Sequence, residues 1–360
     1  MTLRPLARLA CLLPLLGCAR GSLRSTGEPS GETGAAPAPL PGHYVVVGGV
    51  VVGQGRADVE VSAGEVRALH APGAADPALP VIDAAGRWIA PGIIDSHVHL
   101  AYLPEGEALA AGGVAGAVDL AAPVSAFDVA EPLLIARAGP MVTAVGGYPT
   151  RSWGAGGYGL EVRGAGEATA AVAALADQGA ALIKVPLGSS PALTTAELDA
   201  VVAAAHARGL PVVAHALSEE AVRAAAAADV DLLAHTPTGS LSAEAARLWA
   251  GRGLISTLSA FGGGENLAAL RAAGAEVLYG TDFGNTRARG VSAAELQALV
   301  DAGLDGAAIL HAATAAPAAR FGFTNLGAIS PGARAHLLVL DADPLLDPLT
   351  LSRPVEVLRP

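Results

Sequence analysis

The chain has 360 residues, of which 52% are hydrophobic and only 4% aromatic, and its formal net charge is −11. This length accommodates one large domain and a smaller one, and the composition excludes a disordered or fibrous protein. The negative charge argues against nucleic acid and anionic membrane surfaces as partners, because both repel an acidic protein.

The first 18 residues have the pattern of a targeting segment. Arg4 and Arg8 precede an apolar stretch at residues 9–16 that is too short to span a bilayer. The segment ends in Leu-Leu-Gly-Cys18, which resembles a bacterial lipobox, where the cysteine is lipidated and becomes the mature N-terminus. We therefore predict an exported cell-envelope protein that is lipid-anchored at Cys18. An ordinary signal peptide with an incidental cysteine is the alternative. Residues 19–41, rich in Gly, Ser, Pro and Ala, predict a flexible tether.

Beyond the tether, residues 44–83 show short strands and turns without a helical period. From Ile93 onward, strands alternate with Ala-rich helices, which is the pattern of βα units around a parallel sheet. Capping-box signatures, Thr194-x-x-Glu197 and Ser292-x-x-Glu295, mark the starts of two helices. Eight candidate strands can be counted, at residues 93–97, 115–120, 141–145, 182–185, 212–215, 232–235, 254–258 and 277–279.

The alternation predicts an α/β fold of the (β/α)₈ or TIM-barrel type, since eight strands fall within about 230 residues. Residues 326–357 return to strand texture. We therefore predict a barrel over residues 92–323. A small β-sandwich-like domain is expected from both chain ends, residues 42–91 and 324–360.

Polar side chains stand at the carboxyl ends of several predicted strands. His97 and His99 lie two apart behind a Pro91-Gly92 turn, so alternation along a strand points both imidazoles the same way. In barrels of this type the carboxyl ends form the rim where chemistry takes place. Taken singly, each position has an ordinary structural explanation, but together they favour a metal site. The later strand-end residues are Lys184, His215, His235 and Asp282.

This order of residues resembles the binuclear branch of the amidohydrolase superfamily, and more closely its imidazolonepropionase-like and prolidase-like members. The resemblance covers about residues 44–355. It includes the segment 326–341, which looks like the closing β-segment of that family. There the family usually has an acidic residue where this chain has His336.

The resemblance implies a metal-dependent hydrolase with two divalent ions, Zn²⁺ being the best fit to imidazole and oxygen ligands. His97, His99 and Asp282 would hold one ion, and His215 and His235 the other. Lys184 would be carboxylated and bridge the two, because a free ammonium has no lone pair for a metal. Hydrolysis of an amide C–N bond by a metal-bridged hydroxide is implied, with Asp282 as catalytic base and then acid. Dipeptides or N-acyl amino acids are the expected substrates.

Three alternatives remain open at this stage. Deaminase-like relatives hold a single metal and lack the strand-4 lysine, so a purely structural Lys184 would leave one ion. A cyclic amide or lactone hydrolase, as in imidazolonepropionase-like enzymes, could use the same centre. An envelope lipoprotein that keeps the fold without catalysis is the third.

Residues that would contact the substrate are less clearly marked. The loop at residues 146–166 is Gly-rich and aromatic, and either a substrate lid or a variable surface insertion fits it. Tyr102, Tyr148 and Arg287 are the candidates for substrate binding, although a loop arginine is more often a solvated charge. The expected partner is a small peptide-like molecule, with membrane contact only through the anchor. A homo-oligomer is compatible with the sequence.

Overall fold

The structure is a computed structural model that describes residues 40–360. The predicted signal segment at residues 1–18, with Cys18, lies outside the described residues. So does the predicted tether at residues 19–41, except for its last two positions. Within the described part, no helix is long and apolar enough to cross a bilayer.

Strands from both ends of the described chain pair with one another. Near its start lie β1 (His43–Val47), β2 (Val50–Val51), β3 (Gly55–Arg56), β4 (Asp58–Ser62), β5 (Glu65–His70), β6 (Val81–Asp83) and β7 (Trp88–Pro91), and near its end β18 (Leu337–Leu340) and β19 (Glu356–Leu358). One sheet has the order β5-β4-β1-β6 and the other β19-β18-β7-β2-β3. β18 runs antiparallel to β7, with Leu337 opposite Pro91. The predicted boundaries of the β-domain and barrel stay a prediction.

Along the chain, between β7 and β18, parallel strands alternate with helices. The strands are β8 (Ile93–Val98), β9 (Val114–Asp119), β10 (Leu134–Arg137), β11 (Met141–Ala144), β12 (Gly159–Val162), β13 (Ile183–Pro186), β14 (Val212–His215), β15 (Leu232–Leu233), β16 (Gly253–Ile255) and β17 (Glu276–Leu278). The helices are α1 (Gly106–Ala111), α2 (Gly164–Asp177), α3 (Thr195–His206), α4 (Glu219–Ala227), α5 (Ala243–Arg247), α6 (Leu258–Phe261), α7 (Gly264–Ala272), α8 (Ala293–Asp301), α9 (Gly306–Ala313) and α10 (Ala315–Phe321). Two short 3₁₀ helices, Val124–Ala126 and Pro348–Ser352, complete the set.

The parallel strands form ladders that lie in sequence order. β8, β9 and β10 make a three-stranded ladder, and β13 to β17 make a five-stranded one. Backbone hydrogen bonds link their ends. Ser96 N donates to Tyr279 O at 2.9 Å and His99 N to Phe283 O at 2.7 Å at one junction, and Ala181 N donates to Arg137 O at 2.9 Å at the other. The α/β class is therefore confirmed. The ladders do not merge into one continuous cylinder, so the closed eight-stranded barrel stays a prediction.

Two predicted strands are present but differ from the prediction in their pairing or their length. The strand that pairs with β9 is β10, whereas the predicted third strand coincides with β11, which pairs with β12 instead. Gly139, at a φ of +74°, and Pro140, which has no N–H, interrupt the chain between β10 and β11. The predicted strand at residues 254–258 ends early because Thr257 adopts a left-handed backbone, φ +45°, and α6 begins at the next residue.

The predicted loop at residues 146–166 is also shorter than expected. It contains β12, and α2 begins at Gly164, so the irregular segment after β11 ends at Tyr158. The aromatic residues Tyr148 and Trp153 remain within that irregular segment. Its position after β11 places it beside the strand ends that carry the candidate ligands.

The two predicted capping boxes turn out differently. At Thr194 both halves form: the Glu197 amide donates to Thr194 Oγ1, and the Thr194 amide donates to the Glu197 carboxylate. At Ser292 only half forms, since the hydroxyl accepts from the Glu295 amide at 3.2 Å. The Glu295 carboxylate instead accepts hydrogen bonds from the amides of Leu258 and Ser259. The predicted capping box at Ser292 is therefore wrong in one half, because the Glu295 carboxylate bonds to other amides than that of Ser292.

Candidate metal centre

His97, His99 and Asp282 converge at the ends of β8 and β17, and we call them the three-donor group. The Nε2 atoms of the two histidines are 3.3 Å apart. Asp282 Oδ1 lies 3.2 Å from His97 Nε2 and 3.1 Å from His99 Nε2. Ligands at ~2.0–2.1 Å from one tetrahedral ion would lie about 3.3 Å from each other. The three side chains therefore fit a divalent cation.

A buried carboxylate holds the two strands that supply this group in register. Asp95 Oδ1 accepts hydrogen bonds from the amides of His97 and Thr281, each at 3.0 Å, and Oδ2 accepts one from Thr281 Oγ1 at 2.5 Å. Thr281 immediately precedes Asp282, whose own backbone is left-handed with φ +54°. Asp95 thus fixes the backbone beside the candidate ligands on both strands.

Hydrogen bonds at Nδ1 leave the opposite ring nitrogen of two histidines available as a ligand. His97 Nδ1 donates to the carbonyl of Ala234 at 2.9 Å, which fixes the tautomer and directs the lone pair of Nε2 toward Asp282. His235 Nδ1 lies 3.1 Å from Thr257 Oγ1. The left-handed backbone of Thr257 brings this hydroxyl to the ring. In the described residues, His99 Nδ1 is buried without a hydrogen-bond partner.

Lys184, His215 and His235 form a second group beside the first. The His235 ring centroid is 4.5 Å from that of His97 and 4.8 Å from that of His215. Lys184 is 1% exposed, and among residues 40–360 no carboxylate lies within ion-pair distance of it. A buried lysine without a direct ion pair is costly as an ammonium. Burial therefore favours the form without the positive charge, and the charge of Asp282 opposes this only in part.

Burial sets the protonation states that metal binding requires. It lowers the pKa of His97 and His235 well below the usual value and lowers that of His215 to about 4. Burial likewise lowers the pKa of Lys184 to about 7. For Asp282 burial acts in the opposite direction, but the charges and hydrogen bonds of the neighbouring histidines hold its pKa at about 2. Neutral imidazoles and an ionised carboxylate are the ligand forms that a metal binds.

Aromatic rings line the approach to the two groups. The Trp153 ring lies 5.2 Å from that of His99, and the Tyr148 ring lies 5.7 Å from that of His215. Tyr102, 45% exposed, contacts Trp153 edge-on at 5.7 Å. Of the three predicted substrate-binding residues, Tyr102 and Tyr148 thus lie within this aromatic layer. Arg287 is exposed in the loop after Asp282.

Several residues around the site were not predicted from the sequence. Asp119, at the end of β9, is buried and accepts hydrogen bonds from the amides of Ala101 and Ala121. Burial raises the pKa of Asp119 to about 6, and the charge of His99 opposes this. Asp119 follows an apolar strand directly, so its strand-end position was a visible signal. The roles of Asp95 and Glu295 had none, because their partners are distant in sequence.

Parts of the chain are similar in sequence to known proteins. Residues 262–360 match the amidohydrolase family. The matched segment includes Asp282 and the closing strands, whereas the histidines and Lys184 precede it. A stretch of 61 residues is 46% identical to adenine deaminase 2 of Rhizobium meliloti (strain 1021), covering 16% of this chain and 10% of that protein. The chain thus spans about a tenth of this curated relative.

Solved structures match over most of the described chain. An amidohydrolase structure superimposes with a TM-score of 0.75 at 22% identity, covering 88% of this chain and 96% of the other. An Xaa-Pro dipeptidase with bound methionine gives a TM-score of 0.75 at 21% identity, covering 88% and 97%. Molinate hydrolase gives 0.71 at 20% identity, covering 88% and 93%. At these identities the likeness establishes the fold. The family match itself covers residues 262–360 alone.

Proposed function

We propose that this protein is a metal-dependent amidohydrolase that cleaves amide C–N bonds in dipeptides or N-acyl amino acids. The chemistry would take place at the rim of a (β/α)₈ barrel, at the candidate metal centre. The enzyme would be exported to the bacterial cell envelope and held there by a lipid on Cys18. The family match over residues 262–360 and the likeness to hydrolase structures support the reaction class.

Lys184 is the observation that carries the proposal. The sequence contains 22 lysines and arginines, and Lys184 is its only lysine. This one lysine is buried on β13, which pairs with β14, the strand that carries His215. A lysine amine can react with carbon dioxide and become an anionic carbamate, whereas an arginine, always charged, cannot take that role. A lysine at this one position is therefore better explained by chemistry than by packing.

In the proposed centre, the three-donor group would hold one metal ion and His215 and His235 the other, with carboxylated Lys184 between them. When bound, the two ions would polarise the substrate carbonyl and lower the pKa of a water molecule toward ~7. Asp282 would accept the proton of the attacking water and release it to the leaving nitrogen. A carboxylate with a pKa near 2 is ionised at neutral pH and so begins in the accepting form.

Three observations support the proposed substrate class. A similar structure is an Xaa-Pro dipeptidase with bound methionine, which points toward peptides. The aromatic layer around Trp153 and Tyr148 offers apolar surface for an amino-acid side chain or an acyl group. The exposed guanidinium of Arg287, in the same rim as Asp282, is available for a substrate carboxylate.

The first test measures metal content in the full-length protein and in a Lys184→Ala variant, both supplied with ¹³C-labelled bicarbonate. We expect about two metal ions per chain in the wild type and a loss of at least one in the variant. Because Lys184 is the sole lysine, a side-chain carbamate would give one ¹³C resonance that the variant lacks. A panel of dipeptides and N-acyl amino acids would be hydrolysed by the wild type only.

One metal ion per chain in both proteins, without a carbamate signal, would contradict the binuclear proposal. It would favour a mononuclear, deaminase-like enzyme, to which the short match with an adenine deaminase points. In that case the three-donor group would hold the single ion and Lys184 would be structural. Turnover of cyclic amides or lactones alone would keep the centre and replace the substrate class. Metal content without any turnover would revive the non-catalytic lipoprotein.

A further inference from the structure

A groove with a volume of about 490 Å³ lies between α3 and α4. Along α4 it extends from Ser218, which caps the first turn of the helix, to Ala228, which follows the last turn. At ~1.5 Å per residue, this stretch of helix is about 15 Å long. The loop that connects β13 to α3 forms a further part of the wall, with residues between Leu187 and Leu193. Small-molecule sites have volumes of roughly 300–1,000 Å³, so the groove has room for a ligand.

The inner surface of the groove is apolar. Leu187 and Leu198 line it and are only 6% and 4% exposed. On α4 the lining residues include alanines three or four positions apart, which lie on one face of the helix: Ala221, Ala224 and Ala228. Because alanine has no side-chain atoms beyond Cβ, this face of α4 leaves space beside the helix. An apolar molecule would therefore gain from leaving water and entering the groove.

The charged side chains that line the groove are two carboxylates, Asp199 on α3 and Glu220 on α4. No lysine, arginine or histidine is among the lining residues in the described part of the chain. Within residues 40–360, neither carboxylate forms a salt bridge, and Arg223 of α4 pairs with Glu219 and Glu244 instead. The charge of the groove is thus negative and uncompensated, which favours a cationic ligand over an anionic one.

The groove lies beside the candidate metal centre without including any of its candidate ligands. Leu187, in one wall, follows β13, the strand that carries Lys184, and the Leu187 amide donates to the carbonyl of His215 at 2.8 Å. Ser218, in the other wall, comes shortly after His215 at the end of β14. A ligand in the groove would therefore contact the segments that leave the strands of Lys184 and His215.

We propose that the groove between α3 and α4 is a second binding site, for a small molecule that has an apolar body and one ammonium group. The apolar body lies along the alanines of α4, and the ammonium pairs with the carboxylates of Asp199 and Glu220. The hydroxyls of Ser189 and Ser190, in the loop after β13, are further acceptors for its N–H groups. The site does not depend on the proposed hydrolysis, since no candidate metal ligand takes part in it.

The test uses hexylamine as the probe, with hexanol and hexanoate as its neutral and anionic analogues. An alkylammonium has a pKa close to that of lysine, ~10.4, so hexylamine is charged at neutral pH. The full-length protein, labelled with ¹³C in its alanine methyl groups, is titrated with each compound and followed by NMR. We expect saturable binding of hexylammonium that shifts the methyl signals of α4. Its affinity should exceed that of hexanol by about threefold to tenfold, the range for exposed ion pairs, and hexanoate should bind most weakly.

Two pairs of variants test the apolar wall and the charge separately. Ala224→Trp fills the groove from α4 and should abolish binding, whereas Ala170→Trp, on an exposed position of α2 outside the groove, should bind as the wild type does. The double variant Asp199→Asn/Glu220→Gln should bind hexylammonium and hexanol with affinities within about twofold of each other, because the ion pairs are lost. Glu265→Gln, which neutralises an exposed glutamate in the first turn of α7, should keep the wild-type preference.

Equal binding of hexylammonium by Ala224→Trp and the wild type would show that the probe binds elsewhere and would overturn the proposal. So would a wild type that binds hexanol or hexanoate as tightly as hexylammonium, because the two carboxylates would then not select the charge. The absence of saturable binding would overturn it as well. None of these results depends on turnover, so the proposed function stands or falls by its own test.

Discussion

Asp95 links the two strands that supply the three-donor group. It is fully buried, and its two oxygens accept three hydrogen bonds from His97 and Thr281. A carboxylate suits this position because it is purely an acceptor. Any group that brings its own donor would face an N–H or O–H without an acceptor. The geometry of the three-donor group therefore depends on a buried residue outside it.

We predict that Asp95→Asn weakens metal binding by ~10–100-fold, the usual effect of removing a hydrogen-bonding support behind the ligands. It should also lower the free energy of unfolding by about 1–3 kcal/mol, because one buried donor loses its acceptor. Asp58→Asn is the matched control. Asp58 is also buried and accepts from the amides of Gly48 and Gly73, in the sheet of β1.

The two variants are compared by metal titration and urea denaturation. The control should lose stability and keep its metal affinity. Equal metal affinity in Asp95→Asn and wild type would contradict the role assigned to Asp95. The comparison separates support of the ligands from support of the fold, since both residues hold backbone amides from a buried position.

At the scale of elements, α6 shows how a short helix can be held from outside. It begins at Leu258, and the amides of Leu258 and Ser259 donate to Glu295 of α8 at 2.9 and 2.7 Å. These amides are the unsatisfied donors that every helix start leaves. The fixed helix start places Thr257 beside His235 Nδ1 and Phe261 against the His235 ring at 4.4 Å. Glu295 thus orients a candidate ligand through a helix that it does not belong to.

We predict that Glu295→Gln reduces metal binding at the second group and spares the three-donor group. The amide NH₂ of glutamine would face a backbone N–H, which costs about 1–3 kcal/mol of stability and releases α6. Metal titration should then resolve one strong site and one weakened site. Glu197→Gln offers a matched control, because the Glu197 carboxylate also accepts two backbone amides, from Gly164 at the start of α2 and from Thr194 at the start of α3. Retention of two equally strong sites in Glu295→Gln would sink the prediction.

Glu295 on α8 illustrates how much of the fold and of the candidate site could be predicted from the sequence. The histidines, Lys184 and Asp282 were predictable because they follow apolar strands directly, and parallel strands end at one rim. The Thr194 capping box was predictable because both partners are three residues apart. Glu295 has the same local spacing, yet its carboxylate bonds to amides about 36 positions away. The local sequence pattern cannot predict a hydrogen-bond partner that only tertiary packing brings close.

At the scale of the whole molecule, the segment that leads into β18 contacts the start of β8, the strand that carries His97. His336, just before β18, accepts a hydrogen bond at its carbonyl from the Gly92 amide at 2.8 Å. Its ring fills the space beside Gly92, where any Cβ would approach the imidazole to 2.9 Å. Gly92 immediately precedes β8. The buried imidazole therefore packs the segment before β18 against the start of β8, the strand that carries His97.

This packing should make the stability of the whole protein sensitive to acid. Burial lowers the pKa of His336 to about 4, and the charges of Arg359 and Arg334 act in the same direction. The unfolded chain binds this proton at its ordinary pKa near ~6.5, so between pH 6.5 and 4 unfolding takes up a proton. The contribution of His336 to the free energy of unfolding is therefore fully present above pH 6.5. It is lost as the pH drops toward 4. A pKa difference of this size corresponds to about 3 kcal/mol.

We predict that His336→Leu, which cannot be protonated, loses less stability on acidification than the wild type does. The measurement is the free energy of unfolding by urea from pH 7 to pH 4, in metal-free protein. The candidate ligands also titrate in this range, so the relevant quantity is the difference in pH slope between variant and wild type. His206→Gln, which alters a partly exposed histidine paired with Asp231, should keep the wild-type slope. Parallel curves for His336→Leu and wild type would show that the buried imidazole does not couple the chain ends to acid unfolding.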